Sequence, residues 1–120
     1  MQVNQFILNI TSEDPERLGE FYRNVVQLEA NPQVGEHAFK VGEGATFIID
    51  GHSETKGPAR EPHRALINFM VDDIAVEEAR LEAQGVHFIR KQGREYWGGV
   101  ISTFLDPDGN YAQLMEFKPQ

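Results

Sequence analysis

The stretch VISTFLDPDGNYAQLMEF, residues 100–117, contains the clearest structural signal in the chain. Its centre has the composition of a tight turn. Pro107 presets φ for the second turn position, Asp106 can accept hydrogen bonds from nearby backbone amides, and Gly109 tolerates positive φ. Apolar segments on both sides are long enough to form strands. The stretch therefore predicts a β-hairpin that turns at residues 106–110.

A helix signal stands near the other end of the chain, in EDPERLGEFYRNVVQL at 13–28. Asp14 can cap the helix, Pro15 suits its first position, and Glu16 favours the positive end of the helix dipole. Apolar side chains then recur with helical spacing and predict one buried stripe. The members of this stripe are Leu18, Phe21, Tyr22 and Val25.

The segments around this helix follow a simple order. A strand is predicted at 3–10, before the helix, and two more at 36–41 and 45–50, after it. Residues 51–63 are rich in charged residues, Gly and Pro, and they predict a loop or linker.

The same order then begins again. A strand is predicted at 65–71, after which Asp72 or Asp73 can cap a helix that Gly85 closes. The predicted inner stripe of that helix consists of Val76, Ala79 and Ala83. The remaining predicted strands are 86–90, 100–105 and 111–117.

The order strand-helix-strand-strand-strand is complete in the second half, and the first half matches it with one strand not located; together they predict an α+β fold of two βαβββ modules. A chain of 120 residues is expected to form one domain, here with module 1 at about 1–58 and module 2 at about 64–118. One helix can cover only one face of its sheet. The pattern therefore predicts that the other face of each sheet meets a partner.

Composition narrows the class of protein. The chain has 11 Lys and Arg against 19 Asp and Glu, a net charge of −8, which disfavours binding to nucleic acids and to anionic membranes. It has no Cys, so disulfides, thiolate nucleophiles and thiolate metal sites are excluded. There is no leader-like segment and no apolar run approaching ~18 residues. We therefore expect a soluble, cytoplasmic protein.

The helix signal at 13–28 and the DPDGN turn at 106–110 together resemble the vicinal-oxygen-chelate superfamily, which includes glyoxalases, extradiol dioxygenases and bleomycin-resistance-type binding proteins. The resemblance extends over nearly all of the chain. It implies that the sheets of two βαβββ modules form a cup, with the helices outside and the ligand inside. Chains of this size usually form homodimers, and the cup is then built by modules of different subunits; whether it forms within or between subunits stays open.

Metal-dependent members of this superfamily hold one divalent ion with four inward side chains, normally His, Glu or Gln, one from each of four strands. The resemblance places these four positions at Gln5, Ile48, Leu66 and Gln113. Two are aliphatic and two are neutral amides, so we predict no cofactor and no complete metal site. A divalent metal, if bound, would have Gln5 and Gln113 as ligands. Glu116 is expected on the opposite strand face from Gln113.

Strand alternation and the resemblance add further candidate ligand-binding residues. Those with the inward parity of the four positions above are Ile7, Asn9, Asn68, Met70 and Tyr111. Tyr96 and Trp97 precede two glycines and place large rings at the edge of the second sheet. In binding-type members an aromatic at this junction lines the mouth of the cup and stacks on a flat ligand. Ordinary packing at the sheet edge is the alternative.

The sequence leaves three functions open. The first is a small-molecule binding protein of the bleomycin-resistance type without metal catalysis, for which cationic drug-like compounds are compatible ligands. The second is a divalent-metal-dependent lyase, isomerase or dioxygenase acting on a substrate with vicinal oxygens. The third is a degenerate member whose cup serves only as a dimer core. The chain has four histidines, and none is expected to act as a general base. They are His37, His52, His63 and His87.

Overall fold

A computed structural model describes residues 1–119, which divide into two compact units, Met1–Gly57 and the described residues from Pro58 onward. Each unit contains one four-stranded sheet and one principal helix. The predicted α+β fold of two βαβββ modules is confirmed. Within the described residues, no helix is both long and apolar enough to cross a membrane.

The first unit has strand order β1-β4-β3-β2, with β1 parallel to β4 and the other neighbours antiparallel. Its elements are β1 (Phe6–Ser12), α1 (Pro15–Glu20), a π-helical turn (Phe21–Val26), β2 (Glu29–Ala30), β3 (Ala38–Lys40) and β4 (Ala45–Gly51). The sequence missed the short strand β2 and the π-helical turn, and β1 begins three residues later than predicted.

The start of α1 follows the predicted capping chemistry. The side chain of Asp14 accepts a hydrogen bond from the backbone N of Arg17 at 3.2 Å, and Pro15 occupies the first turn. Leu18 and Tyr22 are fully buried, and the Tyr22 ring contacts Phe47 edge-on with centroids 4.9 Å apart. The helix side of this sheet is therefore an aromatic and aliphatic core.

The second unit repeats this topology, with strand order β5-β8-β7-β6 and β5 parallel to β8. After a 3-10 turn at Pro62–Arg64, its elements are β5 (Leu66–Met70), α2 (Ile74–Ala83), β6 (Phe88–Arg94), β7 (Gly99–Leu105) and β8 (Tyr111–Phe117). Strand β6 extends four residues beyond the predicted 86–90 because two register shifts let the chain keep pairing with β7.

The predicted hairpin joins β7 to β8. Asp106 Oδ1 accepts hydrogen bonds from the backbone N of Asp108 and of Asn110, both at 2.9 Å. Its Oδ2 accepts one from Asn110 Nδ2, also at 2.9 Å. Gly109 has φ of +79°, a value that favours glycine. One carboxylate thus organises the whole turn.

The predicted inner stripe of α2 is wrong. Val76 is 58% exposed, and Ala79 and Ala83 are exposed as well. The buried face consists of Ile74, Glu78 and Leu81. A charged residue at the centre of that face removes the apolar signal from the sequence, so a stripe chosen by polarity falls on the wrong side.

Glu78 is buried because the sheet satisfies its carboxylate. It accepts hydrogen bonds from Ser102 Oγ, from the backbone N of Gln92 at 3.0 Å and from Gln92 Nε2 at 3.1 Å. Burial by itself raises a carboxyl pKa, but the bonds from Ser102 and Gln92 and the nearby Lys91 ammonium outweigh it. The net result is that the pKa of Glu78 lies below its ordinary value.

Candidate ligand-binding faces of the two sheets

Each sheet has one face toward its helix and one face without a helix, here called the free face. In the first unit, Phe47 and Ile49 of β4 are buried, whereas Ile48 between them has the opposite parity. Ile48 pairs in register with Asn9, and Ile7 of the same strand is 51% exposed. Strand alternation therefore places Ile7, Asn9 and Ile48 on the free face.

Two polar contacts extend this face. Gln5 immediately precedes β1, and its Nε2 donates to Thr46 Oγ1 at 2.6 Å. Asn9 Nδ2 donates to Asp50 Oδ2 at 3.1 Å. The sequence prediction did not include Thr46 and Asp50, although their alternation with Ile48 on one strand is the signal that would have identified them.

The free face of the second unit contains all the candidates predicted there from strand parity. Leu66, Asn68 and Met70 are exposed on β5, alternating with the buried Ile67 and Phe69. On β8, Tyr111 pairs in register with Leu66, and Gln113 pairs in register with Asn68.

Gln113 also contacts the next strand of the sheet. Its Nε2 donates to Thr103 Oγ1 of β7 at 2.9 Å, which parallels the contact between Gln5 and Thr46 in the first unit. Glu116 lies on the helix side of β8, as predicted, where its Oε1 accepts from the backbone N of Ile74 at 2.8 Å. Thr103 is the residue at this site that sequence reasoning did not find.

The four positions that the resemblance matches to metal ligands have side chains that do not fit a metal ion. Ile48 and Leu66 have no donor atom, and the amides of Gln5 and Gln113 each donate to a threonine. Among residues 1–119, no three or more His, Cys, Asp or Glu side chains form a group that could hold a metal ion. The donor chemistry is therefore too sparse for a divalent cation.

The internal repeat of the chain also shifts the residue that matches the metal-ligand position of the first strand. Asn9 stands five residues before the helix-capping Asp14, and Asn68 stands five residues before the helix-capping Asp73. By this equivalence the counterpart of Leu66 is Ile7 rather than Gln5. Both equivalent positions are aliphatic, so the revised alignment leaves even fewer donors for a metal.

The hairpin between β6 and β7 carries the predicted aromatic pair. Tyr96 is fully exposed and Trp97 is 42% exposed. The Trp97 ring lies so close to Gly99 that any Cβ there would clash. Trp97 therefore packs on the hairpin backbone while keeping part of its indole open. A concavity of about 590 Å³ lies here, lined by Arg94, Glu95, Tyr96, Trp97, Gly98 and Pro119.

The histidines lie apart from these faces or at the surface. His52, His63 and His87 are exposed. His37 is largely buried against Gly19, where its Nδ1 is 3.0 Å from Arg23 Nη2. Its neighbours are thus those of a packing residue.

The profile of the Glyoxalase/Bleomycin resistance protein/Dioxygenase superfamily matches residues 3–114. A search of curated proteins gives no match.

Solved structures with this fold are numerous. TnmS3, an antibiotic binding protein from Streptomyces sp. CB03234, superposes with a TM-score of 0.76 at 22% identity, covering 98% of this chain and 99% of that one. A superfamily member from Sphaerobacter thermophilus DSM 20745 gives 0.75 at 22% identity, covering 97% and 98%. A family enzyme from Burkholderia phytofirmans PsJN gives 0.72 at 20% identity, covering 96% and 99%. At sequence identities of 20–22%, this structural likeness shows that the fold is shared.

Proposed function

The chain belongs to the Glyoxalase/Bleomycin resistance protein/Dioxygenase superfamily, and we propose that it acts there as a small-molecule binding protein without a complete metal site. One observation carries this proposal. Ile48 and Leu66, at two of the four positions that the resemblance matches to metal ligands, are aliphatic, and the amide of Gln113 at the third donates to a threonine. The fourth position is Gln5, whose amide also donates to a threonine, or, by the internal repeat, the aliphatic Ile7.

The composition of the free faces supports binding. Exposed aliphatic side chains such as Ile7, Leu66 and Met70 stand beside a few amides, the mixture that is typical of small-molecule sites. A protein with the same fold is described as an antibiotic binding protein, so the fold is compatible with this role. The remaining ligand-binding candidates, Tyr96 and Trp97, supply a partly open aromatic surface on which a flat ligand could stack.

We further propose a homodimer, located in the cytoplasm, in which a ligand or the second subunit covers the free face of the second sheet. Leu66 and Met70 are 46% and 64% exposed, which is unusual for sheet residues of this size and is explained if a ligand or a second subunit covers them. The net charge of −8 argues against nucleic acid as a partner. Light scattering in solution tests the dimer, and a monomer at all concentrations would contradict it.

The function is tested with untagged protein that has been treated with a chelator, because an affinity tag would add His residues of its own. A broad panel of neutral, cationic and anionic aromatic compounds is screened by thermal unfolding, with and without Ni, Zn, Mn or Fe. We expect at least one compound to raise the melting temperature without added metal.

One result of this screen would contradict the proposed function. Stabilisation by a divalent ion alone, with no response to any compound, would instead indicate a metal-dependent lyase, isomerase or dioxygenase. In that case the double variant Gln5→Ala/Gln113→Ala should lose the metal. Retention of the metal in this variant would show that other residues bind it.

A further inference from the structure

Four polar side chains lie at one level across the free face of the second sheet. Asn68 of β5 pairs in register with Gln113 of β8, which pairs with Thr103 of β7, which pairs with Arg90 of β6. We call Asn68, Gln113, Thr103 and Arg90 the polar row. Apolar residues border it on both sides: Leu66, Tyr111 and Leu105 on one, and Met70, Met115 and Ile101 on the other.

The two amides of the polar row have hydrogen-bonding capacity to spare. Gln113 is held in place by its bond to Thr103, which leaves its carbonyl oxygen and one N–H available. Asn68 is exposed, and within the described residues its side chain makes no hydrogen bond to protein. Neighbouring strands lie about 4.8 Å apart, so the two amides stand side by side. Together they offer adjacent donors and acceptors.

The polar row carries no uncompensated charge. Its one cation is Arg90, whose Nη1 donates to Glu95 Oε1 at 2.8 Å. The guanidinium group lies over Gly93, where a Cβ would occupy its place. Arg90 is therefore held toward Glu95, and the ion pair is electrically neutral as a unit. A ligand with a full charge of either sign would find no free counter-charge in the row.

We propose that the polar row binds an uncharged amphipathic molecule through a carboxamide or lactam edge. The adjacent N–H and C=O of such an edge complement the amides of Asn68 and Gln113, and its apolar body covers the bordering Leu66, Met70 and Tyr111. This inference rests on the proposed small-molecule binding function and adds the class of ligand. It differs from the expectation based on net charge, which favours cations.

A matched set of bicyclic probes tests the proposal on the whole chain. The probes are 2-quinolone, N-methyl-2-quinolone, N-methylquinolinium and quinoline-2-carboxylate, which share their size but differ in donor and charge. Titrations are followed in ¹H–¹⁵N spectra, where the side-chain NH₂ signals of Asn68 and Gln113 report contact directly. We expect 2-quinolone to shift both signals and to bind about tenfold more tightly than the other three.

Variants then link affinity to the polar row. Asn68→Leu and Gln113→Leu should each weaken binding of 2-quinolone about tenfold. Asn68→Asp removes the donor, keeps an acceptor and adds a charge, so it should also lose affinity for the lactam. The control is Asn24→Leu, at an exposed Asn on the π-helical turn outside both sheets, which should bind as the wild type does.

The outcomes separate this inference from the function on which it rests. Equal binding of the charged and the lactam probes, or tight binding that leaves both NH₂ signals and all three variants unaffected, would overturn the inference while leaving small-molecule binding intact. If neither these probes nor the broad panel bind, the proposed function fails and the inference fails with it.

Discussion

The two units of this chain have the same strand order but place their polar groups differently. In the first unit the helix side is an apolar core around Tyr22 and Phe47, and the central row of the free face runs from Asn9 through Ile48 to Ala38. In the second unit the helix side encloses the carboxylate of Glu78, and the corresponding row consists of the polar side chains defined above. Topology is thus duplicated, whereas chemistry is not.

This difference assigns different tasks to the two sheets. Asn9 is bonded to Asp50, whereas the equivalent Asn68 has no hydrogen-bond partner among the described residues. An exposed amide that stabilises nothing in its own protein is available to a ligand. We therefore expect the first unit to depend on its core for stability, and the second unit to contribute the hydrogen bonds that select a ligand.

The largest effect is expected in the apolar core of the first unit. Phe47→Ala removes a buried ring that contacts Tyr22 and Phe39, and should lower the free energy of unfolding by about 3–5 kcal/mol. Phe117→Ala, at a 55% exposed ring, is the control and should cost about 1 kcal/mol or less. Equal losses in urea denaturation would contradict this account of the core.

The buried carboxylate of the second unit should come next. Glu78→Ala leaves Ser102 and Gln92 without their acceptor on the helix, and should cost about 2–4 kcal/mol in the free energy of unfolding. Glu77→Ala, on the same helix, removes only a partly exposed ion pair with Arg80 and should cost below about 1 kcal/mol. If the two variants unfold at the same urea concentration, the carboxylate of Glu78 is dispensable.

The same carboxylate predicts a dependence on pH. Its pKa in the folded protein lies below the ordinary value of 4.5, so the unfolded chain takes up this proton first as the pH falls. The contribution of Glu78 is complete above pH 4.5 and is lost as the pH falls through the folded pKa. Glu78→Gln should therefore lose less stability than the wild type below pH 4.5. Parallel curves of unfolding free energy against pH would disprove the linkage.

The smallest effect concerns the two equivalent asparagines. Asn9→Leu removes an exposed bond to Asp50 and should cost about 0.5 kcal/mol or less, whereas Asn68→Leu removes no bond to protein and should leave stability unchanged. Thermal unfolding of both variants checks this. Destabilisation by Asn68→Leu beyond that of Asn9→Leu would show that Asn68 serves the fold and would weaken its assignment to a ligand.

Features governed by neighbouring residues were predictable. The cap at Asp14, the turn held by Asp106 and the positive φ of Gly85 all follow from residues a few positions apart. The parity of the strands was also readable, which is why Asn9, Asn68 and Gln113 were assigned to one class of face. The buried face of α2 was not predictable, because the burial of Glu78 on it depends on hydrogen bonds from Ser102 and Gln92, which are distant in sequence.

Alternation and capping act within a few residues, and they predicted both helices and every strand except β2. The resemblance to the superfamily supplied the candidate positions Gln5, Ile48, Leu66 and Gln113. The polar row could be recognised only from the pairing of four strands. Asn68 and Arg90 lie on the two outer strands, and the register of Gln113 with Thr103 between them places both at one level of the sheet. A bulge in β6 sets the register of Arg90, and a bulge has no reliable local signature. Strand order and register, which bring distant residues side by side, thus turned separate polar residues into one site.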